Sequence, residues 1–198
     1  MRVKPILFNT EMVRAIMEGR KTATRRGIKQ DVSGMLNSPY HKEHPEVPDK
    51  TLIQKLCKPP CQTGDTLYVR ETWCENINLQ EYYYAADRRP GARAPYGLKW
   101  HPSIHMPRAA ARIWLRVRSV KAERIQEMTL DDFLSEGVVI RSEAFNDPEN
   151  AYMQARDEFI RIWDSTVPGG QQDLYSWEAN PWEWAIEFER CGKPEEHF

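Results

Sequence analysis

The residues best placed to do chemistry in this 198-residue chain are Gly19-Arg20-Lys21-Thr22-Ala23-Thr24-Arg25-Arg26. Four cations and two threonine hydroxyls fall in eight positions. Gly19 stands directly behind a short amphipathic segment, where a residue without a Cβ takes the left-handed geometry that ends a helix. The chain beyond it must leave the helix axis as a turn or a strand. Cations and hydroxyls presented together suit an anionic or carbonyl-bearing ligand. The same composition also describes a plain solvated basic turn.

Three other groups could carry chemistry. Trp100 to Arg108 places two histidines, His101 and His105, beside a tryptophan and an arginine, which fits a ligand-facing lid or a packed surface loop. Glu136 falls in the last turn of a short helix closed by Gly137. The helix dipole disfavours a carboxylate there, so the position invites a reason other than helix stability. Cys57 and Cys61 lie four apart with two prolines between them and His41 and His44 upstream. That spacing is not a finger or ribbon pattern, and no metal is expected there. Cys57, Cys61, Cys74 and Cys191 are expected as reduced thiols rather than a disulfide framework.

The elements that must position these groups follow from periodicity. Val3 to Phe8 reads as a strand. Residues 11–18 read as a helix with Met12, Val13, Ile16 and Met17 on its buried stripe. From Gly27 to Pro60 no period is sustained, which predicts a long loop or insertion. Thr66-Leu67-Tyr68-Val69-Arg70 and Tyr82 to Ala86 are strand-like, and a Pro/Gly-rich loop joins Arg88 to Pro107. In residues 111–125, Ile113, Leu115 and Val117 alternate with Arg112, Trp114, Arg116 and Arg118, so one face is buried and the other carries arginines and a tryptophan. Thr129-Leu130-Asp131-Asp132 resembles a capping box. Asp147-Pro148 opens a helix with a stripe of Tyr152, Ala155, Phe159, Ile160 and Trp163. The last strand sends Trp182, Trp184, Ile186 and Phe188 one way, and Glu183, Ala185 and Glu187 the other.

Composition sets the bounds. The chain has 28 Lys and Arg against 29 Asp and Glu, a formal charge of −1, and its arginines read as scattered. Nucleic-acid binding must therefore rest on a local patch. No apolar run approaches the ~20 residues of a membrane span, and the N-terminus lacks a signal-peptide core. A cytoplasmic monomer without cofactor is expected. No P-loop, GxGxxG, GxSxG or HExxH is present. Short strands with few helices predict an α+β fold, a small mixed or antiparallel β-barrel decorated with helices.

Five blocks in order, KPILFNTEMVRAIMEGRKTATRR, GDTLYVRETW, KWHPSIHMPRAAARIWLRV, MTLDDFLSEGV and NPWEWAIEFE, resemble the ASCH domains of the PUA-like superfamily, of the longer bacterial and phage kind. The resemblance covers the chain as a single domain over residues 1–198, apart from insertions near 28–60 and 141–180. It implies a PUA-like barrel around a cleft. It also implies either of two functions, a bacterial N(4)-acetylcytidine amidohydrolase or a module that binds RNA or modified nucleotides. A ribonuclease is a minor third.

In the amidohydrolases the catalytic lysine and threonine of the GRKTxT block fall on Lys21 and Thr24, and the glutamate falls on Glu136. Lys21, Thr24 and Glu136 are expected to converge on one pocket, with Arg26, Arg70, Glu71, Trp73, His105 and Arg108 lining it, and the partner is expected to be a nucleoside or nucleobase amide, or RNA. Amide hydrolysis requires a nucleophile, a base and a donor to the leaving amine. Lysine, ordinarily near a pKa of ~10.4, acts as a base only where burial or neighbouring cations lower that value.

Overall fold

The computed structural model describes residues 2–195, the side chain of Glu143 excepted. In chain order the elements are β1 (Val3–Leu7), α1 (Thr10–Met17), β2 (Ala23–Gly27), α2 (Val32–Leu36), α3 (Pro39–Glu43), α4 (Asp49–Leu56), β3 (Thr66–Arg70), β4 (Trp73–Asn76), β5 (Glu81–Tyr84), β6 (Trp114–Arg124), α5 (Leu130–Ser135), α6 (Pro148–Thr166), α7 (Gln172–Tyr175) and β7 (Trp182–Cys191). Five strands form one sheet in the order β1-β3-β6-β7-β2, and β4 and β5 pair separately. The β1–β3 pair is parallel, whereas β3–β6, β2–β7 and β4–β5 are antiparallel. The molecule is thus α+β with a mainly antiparallel sheet, the class that strand alternation predicts. Among the described residues no helix is long and apolar enough to cross a membrane.

The chain divides into two compact units, each assembled from separated segments, and β6 and β7 run through both. The first comprises residues 1–22, 63–118 and 188–198. Its helix α1 begins at Asn9, whose side chain accepts from Met12 N, and ends where Gly19 takes φ +79°. Val13, Ala15 and Ile16 form its buried stripe, and Met17 is exposed. On β6 the expected inward residues Leu115 and Val117 are buried, with Ile113 just before them. Trp114 is buried as well, which corrects the reading that its face is open: its ring lies 6.0 Å from that of Tyr68.

The second unit comprises residues 23–62 and 119–187. Thr129 and Asp132 make the expected capping box at the start of α5. Helix α6 packs Ala155 and Phe159 against Phe133, Ile125, Met128, Val138 and Trp177. Residues 28–60, expected as a loop, instead hold the short helices α2, α3 and α4. Caps rather than periodicity start the first two: Asp31 accepts from Gly34 N, and Ser38 from His41 N. The five residues of α2 and of α3 are too few to show a repeat, and α4, eight residues long, buries only the adjacent pair Leu52 and Ile53, which traces no period. Cys57, beside Met35 Sδ at 3.5 Å, and Cys61 are buried in this unit as free thiols.

Phe133 is fully buried, with the rings of Phe159, Tyr152 and Trp177 at centroid distances of 5.3, 5.6 and 6.2 Å. Phe133→Ala is expected to cost about 3–5 kcal/mol and Phe133→Leu markedly less, because the rings around it close poorly on a cavity. Urea unfolding of the three proteins checks this.

Candidate functional site

The basic segment is not a solvated turn. Lys21 is 2% exposed, Thr24 1% and Arg25 3%. For Thr24 and Arg25 the reason is a distant strand: residues 23–27 form β2, hydrogen-bonded along β7 with Thr24 opposite Ile186, Arg25 opposite Ala185, Arg26 opposite Trp184 and Gly27 opposite Glu183. Successive side chains on a strand alternate between faces. Thr24 and Arg26 therefore share the face of Ile186 and Trp184, and Arg25 shares the opposite face with Ala185 and Glu183.

Arg25 is the hub of the second unit. Its Nη2 lies 2.7 Å from Asp132 Oδ1, its Nη1 3.4 Å from Glu136 Oε1, and its Nε 2.9 Å from Glu183 Oε1. Asp132 and Glu136, four apart on α5, are presented together because that spacing is one helical turn. The odd carboxylate at the end of α5 thus has an electrostatic partner in Arg25. The Arg25–Glu183 pair is a contact of charges rather than an aligned hydrogen bond, and Glu183 Oε2 has no hydrogen-bond partner among the described residues.

Three carboxylates meet the Arg25 guanidinium, and Arg26 is a second cation that attracts Glu136. Burial pushes the Glu183 carboxyl well above the usual carboxylate range, Arg25 opposes that rise, and Glu136 and Glu123 add to it. Burial also works against the charge on Arg25, but Glu183, Glu136 and Asp132 more than offset it and hold its pKa above the ordinary value. Asp132 is shifted down: burial opposes its charge, while hydrogen bonds from Thr129 and the Arg25 guanidinium outweigh that. Arg26 is shifted down by burial, against the attraction of Glu136 and Cys61.

The first unit holds Lys21 and the remaining candidates. Lys21 N donates to Ala15 O at 3.1 Å, and its Nζ lies 5.6 Å from the Phe8 ring centroid. Arg70 donates from Nε to Met106 O at 2.8 Å and also to Ile104 O, so it fastens the turn that carries His105. Glu71 is buried and gripped by Arg112 through Nε–Oε1 at 2.9 Å and Nη2–Oε2 at 3.1 Å. Burial raises its pKa, and Arg112 opposes the rise. Arg112 also bonds Asp87 and lies 3.9 Å from the Tyr84 ring centroid. Trp73 exchanges backbone hydrogen bonds with His101, and its ring packs on those of Tyr82 and His101. His105 and Arg108 are exposed, with the Arg108 guanidinium 5.6 Å from the Trp114 ring centroid. Arg70, Glu71 and Trp73 thus meet the 101–112 loop as the fasteners that hold it.

Within the second unit, Thr24 and Arg26 lie on one face of β2 and Arg25 on the other, while Glu136, at the end of α5, pairs with Arg25 and attracts Arg26. A cleft of about 520 Å³ opens elsewhere in that unit, lined by Gln30, Asp31, Arg124, Tyr175 and Trp182 among others, and none of these four lines it. Sequence reasoning missed Asp132 and Glu183 and treated Arg25 only as a neighbouring cation. The one signal available for Glu183 was Ala185, a small apolar residue beside it on the nominally polar face of β7.

A carboxyl whose folded pKa is raised binds more protons folded than unfolded, so stability falls as pH climbs from the ordinary glutamate value toward the folded one. Asp132 works in the opposite window, losing its contribution as pH drops below the ordinary aspartate value. Glu183→Gln is therefore expected to gain stability relative to the parent as pH rises from about 4.5 to 8, with little difference at the acid end. Denaturant melts across that range check the sign.

No family model and no curated protein matches the chain. Among solved structures, an ASCH domain from Lactobacillus crispatus JV V101 is similar at 13% identity, over 96% of this chain and 79% of that one, with a TM-score of 0.39.

Proposed function

We propose that this chain is an amidohydrolase that removes the acyl group from the exocyclic amine of an N(4)-acylated cytosine nucleoside. The observation that carries the reading is the burial of Lys21 and Thr24, which a solvated basic turn would leave in water. Burial is what a lysine base requires, because desolvation favours the neutral amine. The resemblance of the GRKTATRR and FLSEGV blocks to the acetylcytidine amidohydrolases supplies the reaction and the roles.

In this reading the Thr24 hydroxyl attacks the acyl carbon and gives its proton to the Lys21 amine. The carbonyl oxygen becomes an oxyanion held by N–H donors. Collapse breaks the C–N bond, and the cytosine amine leaves with that proton. Water then hydrolyses the threonine ester, releasing the carboxylate. Glu136, held by Arg25, orients the water or carries its proton. Cytosine's amine is weakly basic and leaves more readily than an alkyl amine.

A second reading, a nucleotide-binding module without turnover, draws on one observation. Strand alternation sends the Thr24 side chain to the face opposite Arg25, the residue that engages Glu136.

Incubation with N(4)-acetylcytidine and chromatography of the released cytidine tests the proposal. Turnover is expected, with Thr24→Ala, Lys21→Ala and Glu136→Gln each losing at least about a hundredfold, the ordinary contribution of a general acid, base or nucleophile. Near-normal turnover by Thr24→Ala would replace the threonine nucleophile by a Glu136-activated water. Nucleoside binding by calorimetry without turnover would favour the second reading.

A further inference from the structure

The cleft of about 520 Å³ in the second unit takes no part in the Arg25 cluster, and it combines an apolar lining with unpaired charges. Leu36, Leu174, Tyr175 and Trp182 supply the apolar surface. Leu174 is 65% exposed and Tyr175 half-buried, so both offer surface to a ligand. Trp182 is 8% exposed, and its indole N–H has no acceptor among the described residues.

Four charged side chains line the same cleft, Lys29 and Arg124 against Asp31 and Asp173. Among the described residues none of the four makes an ion pair, with each other or with anything else. Asp31 accepts from Gly34 N at 2.9 Å as the cap of α2. Arg124 donates from Nη1 to Asn180 O at 2.7 Å, and its guanidinium lies 4.7 Å from the Trp182 ring centroid. The side chains of Lys29 and Asp173 make no hydrogen bond among the described residues. Both signs are thus left unanswered in one place.

The walls are fixed by bonds of their own. Ile28 N donates to Trp182 O at 2.9 Å, Ile125 N to Pro181 O at 3.1 Å, and Trp163 Nε1 to Tyr175 O at 2.7 Å. Gly27 lets the Tyr175 ring close on β2, since a Cβ there would lie 3.3 Å from Tyr175 Cδ1. Walls held in this way lose little entropy when a ligand arrives.

We propose that this cleft binds a short apolar peptide by its two free ends, the terminal carboxylate on Arg124 and Lys29 and the terminal ammonium on Asp31 and Asp173. A ligand of one sign would be repelled by half of these charges, and a neutral one would leave all four unanswered. An ampholyte with an apolar body complements the charges and the walls together. The size favours two residues over one, because sites of about 300–1,000 Å³ hold ligands larger than a single amino acid. A second residue also brings a peptide carbonyl, the kind of acceptor that the Trp182 indole lacks. The cleft shares no residue with Lys21, Thr24 or Glu136, so the inference is independent of the amidase reading.

The test is calorimetric titration of the full chain with leucyl-phenylalanine, its N-acetyl form, its C-amide form and the doubly capped form. The free dipeptide is expected to bind with a Kd below about 1 mM. Capping either end is expected to weaken it at least about tenfold, as loss of a charge-assisted hydrogen bond does. D31N/D173N keeps a good cap on α2, because asparagine serves there as well as aspartate. It is expected to lose about tenfold against the free dipeptide and nothing against the N-acetyl form, whose ammonium is already gone. K29Q/R124Q is expected to show the converse, with its loss absent against the C-amide form. The inference is overturned if the doubly capped peptide binds as tightly as the free one, or if D31N/D173N binds the free dipeptide like the parent. It is equally overturned if free phenylalanine binds as tightly as the dipeptide, or if cytidine displaces it. Deacylation of N(4)-acetylcytidine is read in a separate assay, and its failure leaves these binding results as they are.

Discussion

The buried guanidinium of Arg25 is the interaction on which the second unit depends. Removing such an ion from water is costly, and only well-placed opposite charges offset the loss. Asp132, Glu136 and Glu183 supply them from α5 and β7 at 2.7, 3.4 and 2.9 Å. The planar guanidinium offers each carboxylate its own nitrogen, which the single point charge of a lysine would not. Two elements far apart in sequence are thereby tied to β2. With three acids on one base, the most deeply buried of them takes up protons most readily, and that is Glu183. The charge state of this cluster is thus set by burial as much as by pairing.

Arginine plays the corresponding part in the first unit. Arg112 holds Glu71 with two hydrogen bonds and Asp87 with two more, over the face of Tyr84. Arg70 satisfies two carbonyls of the turn at residues 104–106, and Arg14 those at residues 85–88. Loop carbonyls have no ladder to bond to, so side-chain donors take over that task. Burial drives the Tyr84 phenol up to about 12, which keeps its hydroxyl a donor to Ala110 O at 2.7 Å. A glycine- and proline-rich stretch becomes a defined surface through these bonds rather than through regular structure.

This division of labour separates two kinds of cation. Some are consumed by structure, as Arg14, Arg25, Arg70 and Arg112 are. Others, from Arg88 to Lys99, are left to solvent on a frame that the first kind holds. Counting charges cannot distinguish them, because a net value of −1 weighs paired and unpaired cations alike.

What the sequence determined by itself was whatever local geometry enforces. The Asn9 cap, the left-handed Gly19, the capping box at Thr129 and Asp132, and the alternation of Ile113, Leu115 and Val117 each follow from neighbours a few residues apart. The α+β class followed from the same periodicities. The helices between residues 32 and 56 escaped because α2 and α3 are too short to repeat and α4 buries only two adjacent residues. The face of a strand that meets water is not a local property, so Glu183 read as outward and Trp114 as open. Only the tertiary structure decided that a second layer, the helix α5 with its two acids, covers the Arg25 face of the β2–β7 pair. The basic segment itself was legible as a place of interest. Its burial, and the carboxylates that make that burial tolerable, came from residues more than a hundred positions away, because pairing energy depends on distance in space and not along the chain.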